Sequence, residues 1–167
     1  MKKFYFKILV VLLVLSSNLP FINQVNATTK TKELMSEGFA AQLPGRQIPK
    51  LTEIFQVSTN QILVTFDRNV DINLGTKASF YWIQSVTDAT PSGIASLGKN
   101  SKIIAQNALS NQKVTITKVQ GDNYSFLLTF KKEIPSNKRY KLIVRNLHVP
   151  GGSPYNGDNG IKVFTSK

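Results

Sequence analysis

The chain has 167 residues, enough for one domain with a substantial core. It carries 21 Lys and Arg against 9 Asp and Glu, a formal net charge of +12, and no cysteine. That composition excludes disulfide staples, thiolate nucleophiles and zinc–thiolate centres, and it favours anionic partners.

The first 27 residues read as a secretory signal peptide, not as part of the fold. Met1 to Lys7 is a cationic start, Ile8 to Leu15 is an uninterrupted apolar run, and Pro20 follows it closely. Val25-Asn26-Ala27 offers the compact residues that a signal peptidase accepts before its cut. The apolar run is too short to cross ~30 Å of hydrocarbon as one helix, so no membrane span is expected after cleavage. Loss of three lysines and no acid leaves 18 basic against 9 acidic residues, a net charge of +9. The basic excess therefore belongs to the exported part. Residues 28–47 are predicted as a linker or short docked leader, in which Glu33 to Gln42 is too short to hold a helix alone.

From residue 48 to 167 the apolar period is two, which signals strands. The expected strands are Leu51 to Val57, Gln61 to Phe66, Ser79 to Gln84, Lys113 to Val119, Asn123 to Phe130, Arg139 to Arg145 and Ile161 to Thr165. Ile103 to Ala105 is a candidate short edge strand. Ile62, Val64 and Phe66 share one face, as do Tyr124, Phe126, Leu128 and Phe130, and as do Tyr140, Leu142 and Val144. Turn residues separate these runs, and no long amphipathic helix is expected after residue 46. Seven or eight short strands point to an all-β, antiparallel two-sheet sandwich, with a closed barrel as the alternative.

Three segments carry a resemblance. "VSTNQILVTFDRNVD" (Val57 to Asp71) has a strand of alternating apolar residues running into a Val-Asp turn. "ASFYWIQ" (Ala78 to Gln84) and "IPSNKRYKLIVRNLHVPGG" (Ile134 to Gly152) follow it. Together they resemble the bacterial immunoglobulin-like domain family of the surface-layer type, over roughly residues 50 to 165. The resemblance implies an extracellular, immunoglobulin-like sandwich that is not an enzyme and serves display, adhesion or ligand binding.

The candidate binding residues are Lys138, Arg139, Lys141 and Arg145. On a strand, Arg139, Lys141 and Arg145 share one face at ~6.6–6.8 Å per two residues, a spacing that could track an anionic polymer. The same residues equally serve to keep a sheet face soluble. Asp67, Arg68 and Asp71 end a strand and supply too few oxygens for calcium, so they read as a strand exit with Val70 tucked into the core. The loop Gly151 to Gly160 offers Asn156, Asp158 and Asn159 as oxygen donors but lacks the EF-hand spacing, and reads as an exposed loop. Trp82 reads as core packing. His148 is the only histidine, and no G-x-S-x-G elbow is present. No catalytic residue, metal site or cofactor is expected. The leading expectation is a secreted or cell-surface module that adheres to an anionic wall or matrix polymer, or to a surface protein, through the basic face. One alternative is a small hydrolase or lyase using His148 and the 151–160 loop. The other is a structural surface or matrix protein. Nucleic acid is not an expected partner, because the chain reads as exported and lacks the basic–aromatic consensus of nucleic-acid modules.

Overall fold

The computed structural model describes residues 48–167; the expected signal peptide and linker, residues 1–47, lie outside the described residues. Strands form where apolar residues recur at every second position. They are β1 (Leu51–Ser58), β2 (Gln61–Phe66), β3 (Tyr81–Ser85), β4 (Val114–Lys118), β5 (Ser125–Phe130), β6 (Arg139–Arg145) and β7 (Asp158–Thr165). One sheet has the order β1-β2-β5-β4 and the other β3-β6-β7. Every neighbouring pair within them is antiparallel. In the letters used for immunoglobulin constant-type domains this is ABED facing CFG. The expected two-sheet sandwich is the observed fold, and the sheets do not close into a barrel.

Alternation places the core. Ile62, Val64 and Phe66 of β2 and Phe126, Leu128 and Phe130 of β5 face Tyr81 and Ile83 of β3 and Tyr140, Leu142 and Val144 of β6. Each such side chain contributes ~1.5–3 kcal/mol by leaving water. Phe66 and Phe126 also meet edge to face, with ring centroids 6.2 Å apart. At one edge of the sandwich β7 is tied to β1 and the residues before it. The Lys50 ammonium donates to the Asp158 carbonyl at 2.9 Å, and the Lys167 N–H donates to Gln56 Oε1 at 2.9 Å.

Five details differ from expectation. Ser79 and Phe80 lie in a 3-10 turn, Ala78–Phe80, so β3 starts at Tyr81. Ile103 to Ala105 forms no strand, because the place beside β3 is taken: the Leu97 N–H donates to the Ile83 carbonyl and the Leu97 carbonyl accepts from Ser85. Tyr124 is exposed and stands outside β5, its N–H held by Asp122 Oδ1 in the preceding turn. Asp158 to Gly160 belong to β7, not to the loop. The short helix α1 (Ile72–Gly75) was not foreseen.

Candidate functional site

β6 is the middle strand of its sheet, so its outward row is Arg139, Lys141, Ile143 and Arg145. Ile143 is buried in a second apolar cluster with Trp82 and Leu97, against which Ile103 and Ala108 pack. Trp82 is thus buried as expected, but on the outer side of its sheet, where its indole N–H donates to the Ile104 carbonyl at 2.9 Å. This cluster divides the basic row. Arg139 is exposed and Lys141 half-buried on one side; Arg145 lies on the other, in a hollow with Ser79, Phe80 and Asn156. Lys138 stands outside the strand and pairs with Asp88 at 3.4 Å. Hydrogen bonds from the Ser92 and Thr87 hydroxyls, with Lys138 nearby, hold the Asp88 carboxyl below its ordinary pKa.

The acidic candidates serve the fold. Asp67 accepts the Lys50 N–H at 2.8 Å and takes both Nε and Nη2 of Arg68, at 3.1 and 2.8 Å. The Arg68 contact holds its carboxyl below the ordinary value. Asp71 caps α1, its Oδ1 accepting from the Asn73 and Leu74 N–H groups at 2.9 and 3.3 Å. Val70 is buried as a core anchor.

In the 151–160 region the geometry is again largely structural. Asn159 is fully buried; its Oδ1 accepts from the Leu147 N–H, and its Nδ2 donates to the carbonyls of Pro49 and Leu147. Its oxygen is buried and already holds the Leu147 N–H. Asp158 Oδ1 accepts from the Gly160 N–H at 3.0 Å. His148 Nδ1 lies 2.9 Å from the neighbouring Val149 carbonyl, and among the described residues no serine or carboxylate bonds to its ring. No group of three or more His, Cys, Asp or Glu converges among the described residues.

The structure gathers a different set of charges. Lys113, just before β4, and Lys131 and Lys132, just after β5, line one cleft of about 380 Å³ against the 91–95 loop. Gln112 shares its polar lining, and the buried side chains of Ile94 and Phe130 give it an apolar base. None of these three lysines is among the candidate binding residues read from the sequence. The register between β4 and β5 is the signal that joins them.

No family model and no curated protein matches the chain. Among solved structures it is similar to the S-layer protein rSbsC(31-844), with a TM-score of 0.50 and 14% identity over 85% of this chain and 16% of that one. It is equally similar to surface layer protein SbsC, domains 1-6, with a TM-score of 0.50, 14% identity and the same coverage of both chains. The fold is surface-layer-like. At this identity the likeness is one of architecture, and the chain spans only a small part of those proteins. It agrees with the sandwich that the three sequence segments implied, whereas the residues of those segments do not by themselves establish the family.

Proposed function

We propose that the chain is a non-catalytic structural module of a bacterial cell surface or extracellular matrix. The observation that carries this reading is the two-sheet sandwich, whose fold is similar to that of surface layer protein structures. A module of this kind works through its shape and its contacts with neighbours, and needs no reactive constellation. The export signal read from residues 1–27 is compatible with that location. The test is cell fractionation together with light scattering of the purified chain. Retention with the envelope and growth of particle mass with concentration are expected. A strict monomer found only in the culture fluid would remove the reading.

The adhesive reading rests on Arg139, which is exposed, with Lys138 and Lys141 beside it and Arg145 beyond the Trp82 cluster. Its test is binding to purified cell wall as salt rises. A variant with Lys138, Arg139, Lys141 and Arg145 all changed to Ala should then release at lower salt than the wild type. Equal release would remove the basic face from the account.

A further inference from the structure

The ladder between β4 and β5 ends on two lysines that face each other. One residue past the Val114–Phe130 pair, Lys113 stands opposite Lys131, whose N–H donates to the Lys113 carbonyl at 2.9 Å. Facing side chains on an antiparallel pair have Cβ atoms ~4.5–5.5 Å apart, and like charges there repel. Lys132 follows directly and lines the same cleft. None of the three lysines forms an ion pair among the described residues, and no carboxylate is among the side chains lining the cleft. Asp88 accepts the Ser92 hydroxyl at the cleft loop, but it is already paired with Lys138. A glutamate at position 113 or 131 would turn repulsion into attraction; the chain has lysine at both.

The cleft has a shape to match this charge. Its volume of about 380 Å³ lies within the range of small-ligand sites, ~300–1,000 Å³. The 91–95 loop closes one side and is held in place. The Ala95 N–H donates to the Ser92 carbonyl at 3.0 Å. Gly93 has φ +60, and a Cβ there would stand 2.7 Å from the Pro135 ring. Three ammonium groups supply more positive charge than one carboxylate neutralises. A phosphate monoester carries close to two negative charges near neutral pH and offers several acceptor oxygens.

We propose that this cleft binds a phosphate group, held by Lys113, Lys131 and Lys132, with the carbon skeleton that carries it lying over Ile94 and Phe130. The ligand class is a phosphorylated sugar or polyol, either as a free ester or as a unit of an anionic polymer. The site lies apart from the β6 basic row, and it stands whether or not the chain assembles.

Binding is measured on the full chain at fixed ionic strength with glycerol phosphate, poly(glycerol phosphate) and neutral dextran as probes. Both phosphates are expected to bind and dextran is not. Binding by glycerol phosphate alone supports the site with the free ester as its ligand; binding by the polymer alone supports it with the polymer. The variant Lys113→Ser/Lys131→Ser/Lys132→Ser should bind at least tenfold more weakly. It should melt no lower than wild type in phosphate-free buffer, because a repulsive pair has gone. A control with Lys99, Lys102 and Lys162 changed to Ser removes the same charge elsewhere and should bind as wild type does. An equal loss in the control, or none in the triple variant, would overturn the site. A check without variants is amide NMR with glycerol phosphate, in which the signals of Gly93, Lys131 and Lys132 should move. Shifts confined to other residues would count against the cleft.

Discussion

Asn159 does more for this fold than its charged neighbour Asp158. Its amide satisfies one N–H and two carbonyls where water has no access, joining the start of the domain at Pro49 to the end of β6. Replacing it with Leu leaves those groups buried and unpaired, at a cost of about 3 kcal/mol. Asp158→Ala, one residue away and exposed, should cost under about 1 kcal/mol. Urea unfolding of the two variants separates these outcomes, and similar losses would contradict the clamp. Tyr81 gives a second residue-scale prediction. Its hydroxyl donates to the Gly75 carbonyl at 2.6 Å, and complete burial pushes the phenol far above its ordinary pKa. Burial raises Tyr140 in the same direction, helped by the charge of Asp88. A phenol raised in the folded state contributes stability that is fully present below the unfolded value of about 10 and is lost as pH climbs past it. Tyr81→Phe should therefore be less stable at pH 7 by about 1 kcal/mol, through the lost hydrogen bond. It should also lose less than wild type between pH 9 and pH 11. Parallel stability curves for the two proteins would show that Tyr81 does not set the alkaline limb.

Among the elements, α1 is the smallest and the least legible in the sequence. Ile72-Asn73-Leu74-Gly75 is one turn long, too short for a helical period to emerge. It exists because Asp71 caps it and because Gly75 lets its backbone lie against the core. A Cβ on Gly75 would stand 2.2 Å from the tip of the Phe126 ring, and Phe126 is fully buried with no room to retreat. Gly75→Ala should thus cost about 2–3 kcal/mol by overpacking, whereas Asp71→Ala should cost about 1 kcal/mol. Chemical denaturation distinguishes them, and a mild Gly75→Ala would mean that α1 is free to shift. Elsewhere legibility followed the pattern of exposure. β2 and β6 could be read to their ends, because each has a buried face that alternates along its whole length. β3 could not, since all five of its residues are buried and apolar Phe80 sits in the turn before it. Asn159 sits in Asn-Gly-Asp-Asn-Gly, a string with the composition of a turn, so its burial left no trace. The lysine cleft was hidden for another reason. Lys113 lies far from Lys131 along the chain, and only the register of β4 on β5 makes them neighbours.

At the scale of the whole molecule, charge opposes compaction. Basic residues outnumber acidic ones roughly two to one from residue 48 onward. The acids that are well used are used locally: Asp67 with Arg68, Asp88 with Lys138, Asp71 at a helix start. These are the only two ion pairs among the described residues, and in both the side chains are partly exposed, so each contributes little. Two terms then compete as salt is added. Screening weakens the two pairs, which lowers stability, and it weakens the repulsion among the many remaining cations, which raises it. The Debye length is ~10 Å at 0.1 M, shorter than the distance across a domain of this size, so the repulsive sum is the larger loss. Raising sodium chloride from 20 to 300 mM should therefore increase stability by on the order of 1 kcal/mol, seen as a rise in melting temperature of about 3 °C. Sodium chloride is the right salt, because sulfate would add exclusion from the surface and phosphate would add occupancy of the lysine cleft. In the Lys113→Ser/Lys131→Ser/Lys132→Ser variant the rise should be smaller, since part of the repulsion is already absent. A melting temperature that falls with sodium chloride would mean that the ion pairs outweigh the net charge. A rise of equal size in variant and wild type would mean that the facing lysines are not where the strain is held.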